Sequence, residues 1–190
     1  SRNYLSVDSY NKLCVNKDAR ICMPKMRIDE DTDIVAYSRE QIEKLDKYFS
    51  GTNAETAYLL GRCCGLRINE CYGLKWENVD IKHGTITIDR QMQYQEGLIK
   101  LVSLKTRNAR RTVYMSDKLK TYFLHLEQER EVQAATQAAQ RAQNQTFITD
   151  IDGTQISSLE LVNSLPNGKI QTVNSMKYHS RTIKSLSLIH

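Results

Sequence analysis

Residues 65–80 read Gly-Leu-Arg-Ile-Asn-Glu-Cys-Tyr-Gly-Leu-Lys-Trp-Glu-Asn-Val-Asp. Arg67 closely follows a glycine placed to end a helix, which holds the side chain on a short rigid turn. Glu70 stands three residues on, where one helical turn brings its carboxylate under the guanidinium. Fixed in this way, a guanidinium offers the fork-shaped donor set that suits a phosphate. The same spacing also fits an ordinary surface ion pair, which adds little to stability. A second concentration of cation is Lys105-Thr106-Arg107-Asn108-Ala109-Arg110-Arg111. Its like charges repel, and an anionic partner would relieve them; a solvated turn is the plainer reading. Taken together, an Arg on a rigid turn and a Lys on a basic loop supply two electrophilic contacts to one phosphate. That arrangement permits phosphoryl transfer without a metal.

Other residue types point away from competing chemistries. The five cysteines (14, 22, 63, 64 and 71) form no paired metal-binding spacing, and no His completes a zinc set. They read as buried or idle thiols of a reducing cytosol. No Gly-rich loop is present to cradle a nucleotide phosphate, so nucleotide hydrolysis is not indicated. No metal and no cofactor are expected. The net charge of +5 is a weak hint of an anionic partner. There is no apolar run long enough to span a membrane and no apolar signal core at Ser1-Arg2-Asn3-Tyr4, so a cytoplasmic protein is expected. The chain opens without an initiator Met and is expected to be a piece of a longer protein.

The elements that must position these residues follow from periodicity. Residues 1–35, with Pro24 and the acidic run Asp29-Glu30-Asp31, read as a linker or the tail of an upstream DNA-binding domain. Ser38-Arg39-Glu40-Gln41 fits a capping box, followed by Ile42, Leu45 and Phe49 at helical spacing. Thr52-Asn53-Ala54-Glu55 is a second such box, opening a helix that stops near Gly65. Asn69 to Leu74 forms a short third helix. Thr85–Ile88, Ile99–Leu104 and Thr112–Met115 alternate or are β-branched, as strands are, and Gly84 and Gly97 mark turns. The basic run 105–111 then forms the tip of a hairpin joining the last two strands. Ser116 caps a long helix with an apolar face at Leu119, Tyr122, Phe123 and Leu126, extended by a Gln/Ala-rich tract to Gln145. Ser157 to Leu165 reads as helical, as does Val173 to Leu188. The expected class is α+β, a mainly α-helical domain over 36–190 with a small three-stranded antiparallel sheet.

The stretch from Ala57 to Asp80, with Arg62-Cys63-Cys64-Gly65-Leu66-Arg67 at its centre, resembles the first signature box of the tyrosine recombinases, the phage integrase family. Leu104-Lys105-Thr106-Arg107-Asn108-Ala109-Arg110-Arg111-Thr112-Val113-Tyr114-Met115 resembles that family's β-hairpin, with Ala109 where Ser is common. The resemblance is to integrases of phages and conjugative transposons. It covers residues 36–190 and is strong over 57–115. It implies DNA recombination and integration for a mobile genetic element. A Tyr hydroxyl attacks a backbone phosphate to form a 3′-phosphotyrosyl link, and a partner strand's 5′-hydroxyl reverses the step. It further implies Arg67 as the catalytic Arg, Glu70 as the acid that orients the site, and Lys105 as the general acid that protonates the departing 5′-oxygen. Thr106, Arg107, Arg110 and Arg111 are the expected DNA-contacting residues. The implied partners are double-stranded DNA and, for the full-length protein, further copies of itself, as a tetramer on two DNA sites.

The family also has a His-x-x-Arg box and a nucleophilic Tyr. None of His83, His125, His179 and His190 has Arg three residues on. The expectation is a chain that stops before that box, leaving an incomplete and inactive catalytic domain. A rival reading takes His179 and Arg181 as a degenerate box; residues two apart do not share a helix face, and Tyr178 precedes rather than follows them. Trp76 is expected to pack on the core, His125 to be structural, and His83 to face solvent. The alternative functions are a non-catalytic DNA-binding regulator of the same fold, a basic domain that binds protein through the Gln/Ala tract, and a type IB topoisomerase-like relative. That last reading is weakened because the long basic linker expected there is missing. The DNA target and the identity of the element are not written in these residues.

Overall fold

In the computed structural model, residues 36–95, 97–106 and 109–185 are described. The expected tail (1–35) and Arg107 lie outside them, as does the stretch beyond Ser185 over which the last helix is expected to run to Leu188.

Helix α1 (Arg39–Phe49) starts at the expected capping box: Ser38 Oγ accepts from the Gln41 N–H, and Gln41 Oε1 accepts from the Ser38 N–H. Helix α2 (Glu55–Cys64) begins differently from expectation. Ala54 is its N-cap, Thr52 turns its hydroxyl back to the Phe49 carbonyl, and Glu55 takes the Gly51 N–H. Gly65, at φ 65, ends α2 with its N–H on the Gly61 carbonyl, a left-handed turn that glycine adopts without strain. Helix α3 (Ile68–Gly73) follows.

The α+β class is as expected, and the strands divide between two sheets. Strands β1 (Val79–Asp80), β2 (Thr85–Ile88) and β5 (Arg111–Tyr114) form an antiparallel three-stranded sheet in the order β1-β2-β5. Strands β3 (Arg90–Gln95), β4 (Leu98–Ser103), β6 (Phe147–Thr149) and β7 (Gln155–Ser157) form a second sheet in that order, with β4 and β6 parallel. The basic run is therefore not a hairpin tip. β4 pairs with β3 across a turn at Gly97 (φ 81), whereas β5 pairs with β2. The segment 104–110 crosses from one sheet to the other. Pairing Met92 with Leu101, both buried, fixes the inward faces of β3 and β4, so a register slip would expose them.

Helix α4 (Asp117–Thr136) is capped by Ser116 as expected. The Gln/Ala-rich tract does not continue it: the helix breaks at Gln137, and α5 (Ala138–Asn144) doubles back so that Arg141 is buried. Ser157–Leu165 is not the expected helix. It holds the end of β7, one 3-10 turn at Ser158–Glu160 and a bridge from Lys75 to Leu161. Helix α6 (Val173–Ser185) closes the described chain.

The main core gathers Leu60, Tyr72, Ile86, Leu101, Leu119, Phe123 and Leu161 from both sheets and α2–α4. Trp76 packs edge-on against Phe123, as expected. A second cluster, Leu45, Phe49, Ala54 and Ile183, ties α1 to α6. Helix α3 lies so close to β3 that a Cβ on Gly73 would stand 2.7 Å from the Met92 nitrogen, so only glycine fits there. Among the described residues no helix is long and apolar enough to cross a membrane.

Candidate active site

The turn after Gly65 places Arg67 in extended conformation at the head of α3, where it acts as N-cap. Glu70, one turn in, answers it twice: Oε2 accepts from the Arg67 N–H at 2.8 Å, and Oε1 accepts from Arg67 Nη1 at 3.1 Å. The spacing read from sequence thus becomes a real pair, but not a surface one. The Glu70 side chain is 1% exposed. Burying a carboxylate is costly unless it is paired and hydrogen-bonded, and one exposed guanidinium would not meet that demand.

The second partner comes from 41 residues away. Arg111 Nη2 donates to Glu70 Oε2 at 2.8 Å and its Nη1 to Oε1 at 3.1 Å, a two-pronged clasp. Nη1 also reaches the Ala109 carbonyl at 3.3 Å. Burial alone would raise the Glu70 carboxyl; the hydrogen bonds from Arg111 and Arg67 outweigh it and hold the group below its ordinary 4.5. Arg111 in turn is pushed further up by Glu70. One buried anion therefore holds two cations, and the surplus charge sits on Arg67, whose side chain is 73% exposed. Among the described residues only its Nη1 is engaged, which leaves the other donors of the fork open.

Arg111, expected among the DNA-contacting residues of the basic run, closes its guanidinium on Glu70. The signal for this was available in strand period. Arg111 and Val113 share one face of β5, Val113 packs on the core, and the residues between and after them are exposed. Lys105 and Thr106 are exposed on the crossover, with the Thr106 carbonyl taking the Ala109 N–H at 3.0 Å. Arg110 is exposed beside them. None of these three is hydrogen-bonded or ion-paired to Arg67 or Glu70. What joins the two motifs is Arg111, which pins the end of the basic segment to the Arg67 turn.

A separate charged cluster escaped the sequence reading. Lys75, buried, meets Glu77 at 2.9 Å, Asp150 at 3.3 Å and Glu160 at 3.6 Å. Arg90 meets Asp150 at 2.7 Å, Asp89 at 2.8 Å and Glu77 at 3.5 Å. This network fastens β3 and the β6–β7 turn to the segment after α3.

The histidines sort cleanly. His179 is buried, with Nδ1 on the Tyr48 hydroxyl at 3.0 Å and Nε2 on Asn53 Oδ1 at 2.8 Å. Burial lowers its pKa. Arg181 is exposed, and neither residue is hydrogen-bonded or ion-paired to Arg67, Glu70 or Arg111, so the degenerate-box reading finds no support here. His125 is exposed beside Glu129 rather than structural. His83 faces solvent, paired with Asp80 at 2.6 Å, as expected. Cys71 is buried, with its thiol pushed up to about 12 by burial, while Cys63 and Cys64 are half-buried. Among the described residues no cluster of ligands could hold a metal.

Fold and site together define a mainly helical α+β domain that carries an outward-facing arginine on a buried carboxylate, beside a basic crossover. Residues 33–162 match the model of the Phage integrase family. The chain belongs to that family. Over 92 residues it is 29% identical to a Tyrosine recombinase XerC-like protein of Caldanaerobacter subterraneus subsp. tengcongensis, covering 44% of this chain and 24% of that protein. Its fold is similar to the Tn1549 transposon integrase in complex with a circular intermediate DNA, with TM-score 0.60 and 20% identity over 86% of this chain and 48% of that one. The same integrase in complex with transposon right end DNA gives TM-score 0.61 and 19% identity over the same shares. At that identity the likeness concerns the fold alone. The chain spans about a quarter of the curated relative and about half of the solved integrases.

Proposed function

We propose that this chain is part of the catalytic domain of a site-specific DNA recombinase that cleaves and rejoins DNA through a 3′-phosphotyrosyl intermediate. The supporting observation is the Glu70 centre: a buried acid holding one arginine in place while the surplus positive charge faces outward. Arg67 stabilises the charge that develops on the scissile phosphate, since preorganised donors act where charge appears in the transition state. Glu70 orients Arg67 and Arg111. Lys105, on the adjoining crossover, protonates the departing 5′-oxygen; an alkoxide is a poor leaving group unless a proton is delivered to it. Thr106, Arg107 and Arg110 contact the DNA backbone, and Arg111 is shared between Glu70 and the DNA side of the site. Residues 36–190 belong to the catalytic domain and 1–35 to a linker or the tail of an upstream DNA-binding domain. Self-association on two DNA sites and a cytoplasmic location are parts of the same proposal. The DNA-complexed Tn1549 integrase structures support the choice of partner.

The test uses the protein encoded by the whole gene. Arg67→Ala and Lys105→Ala should each abolish recombination of a plasmid carrying the element ends, while salt-sensitive DNA binding persists. Recombination at the unmodified level in either variant would overturn the assignment. Binding without cleavage in the unmodified whole protein would favour a DNA-binding regulator of the same fold.

A further inference from the structure

Helix α2 has Arg67 beyond one end. At its other end, about 15 Å away for a helix of this length, a cleft of about 480 Å³ opens between the start of α2, α4 and the 162–171 segment. Two arginines line it. Arg141, on α5, is 5% exposed; its Nη1 donates to the Arg130 carbonyl at 3.2 Å, and among the described residues its Nε has no acceptor and no carboxylate pairs with it. Arg130 stacks over the Trp76 ring at 5.0 Å and likewise has no ion pair among the described residues. Gln171, 6% exposed, lines the same cleft with its Oε1 lacking a donor.

Such groups are rare in native proteins and call for an explanation. Two like charges brought together in a half-enclosed space repel, and burial adds the cost of lost hydration. Burial and the neighbouring Arg130 both push the Arg141 pKa down. The cleft's carboxylates do not relieve them: Glu129 turns to His125 at 3.6 Å, and Glu55 is taken by the Gly51 N–H at 2.8 Å.

We infer that this cleft binds a small oxyanion that carries its own O–H, of the hydrogen phosphate or phosphate monoester class. The anionic oxygens face the Arg141 and Arg130 guanidiniums, which suit phosphate by shape and charge. The hydroxyl donates to the Gln171 carbonyl oxygen. A DNA phosphodiester has no such O–H, and a duplex backbone does not reach an arginine so nearly buried. The site is thus separate from the Glu70 centre.

Trp76, the single tryptophan of the chain, lies under Arg130 and reports occupancy. The 190-residue chain is titrated with inorganic phosphate at constant ionic strength while Trp76 emission is followed. A saturable change is expected, with no equivalent from chloride. Arg141→Met and Gln171→Leu should each weaken half-saturation about tenfold or more, the effect of losing a charge-assisted or buried hydrogen bond. Should Arg141→Met fail to fold, Gln171→Leu and Arg130→Gln carry the test. An unsaturable response, one matched by chloride, or one indifferent to these variants would overturn the inference and leave Arg141 as a clamp on the Arg130 carbonyl. So would a response abolished by Arg67→Ala and spared by Arg141→Met, which would place the phosphate at the Glu70 centre. An Arg141-dependent response to duplex DNA but not to phosphate would make the cleft part of the DNA interface and overturn it as well.

Discussion

The Glu70 centre and the Lys75–Arg90–Asp150 cluster are both partly buried ionic networks, yet their charge balance is opposite. Around Glu70, one carboxylate answers two guanidiniums, and the extra cation is the exposed Arg67. Around Asp150, two cations, Lys75 and Arg90, meet four carboxylates: Glu77, Asp89, Asp150 and Glu160. In the second network both cations are fully answered and neither faces outward; it serves to fasten strands. The first is left one anion short on its open side. The Asp150 cluster answers both of its cations, whereas the Glu70 centre holds one cation in position and leaves most of its donors unanswered. The comparison therefore locates an outward-facing arginine with spare donors without reference to any relative.

The sharpest way to break this contrast is to remove each network's central acid. Glu70→Ala strands Arg111 against the core and frees Arg67, and should cost about 3–5 kcal/mol of unfolding free energy, the range for deleting one partner of a buried pair. Asp150→Asn should cost less, about 1–3 kcal/mol, because Lys75 retains Glu77 and Glu160 and Arg90 retains Asp89. Urea denaturation of both variants checks the order, and a larger loss for Asp150→Asn would reverse the reading. Gly73→Ala forces a methyl against the Met92 backbone. It should cost about 1–3 kcal/mol by overpacking and should loosen the floor beneath Glu70, measured as a lowered melting temperature.

The acid limb of stability sharpens the contrast further. Glu70 is held below 4.5 when folded, so its contribution is complete above 4.5 and is lost as pH falls through the folded value. Glu70→Gln should flatten that part of the profile. His179, lowered from 6.5 by burial, contributes fully above 6.5 and loses that contribution as pH falls through its folded pKa. His179→Gln should remove this slope, which begins at higher pH, and urea titrations from pH 7 down to pH 3 separate the two. The smallest stability change should come from Arg67→Ala, below about 1 kcal/mol, because its guanidinium is mostly exposed and Arg111 still clasps the buried Glu70. The same substitution should lower the salt dependence of DNA binding by about one counterion. A large stability loss with an unchanged salt slope would make Arg67 structural after all.

The sequence by itself determined what lies within one or two turns of chain. The Ser38 capping box, the left-handed stop at Gly65 and the Arg67–Glu70 pair all depend on neighbours three or four residues apart, where spacing alone dictates geometry. The α+β class was legible in the change of hydrophobic period near Thr85, and the two motifs that mark the family stood in order along the chain. Tertiary structure decided the rest. The depth of Glu70 and its clasp by Arg111 depend on β5 pairing with β2 instead of β4, a choice between alternative strand partners that period-two alternation leaves open. The crossover of residues 104–110 follows from that same pairing. The Lys75–Asp150 contact and the burial of Arg141 join residues separated by tens of positions or fold a Gln/Ala-rich helix back on itself at Gln137. No local rule places such charges together, because their positions are set by how the sheets and helices pack.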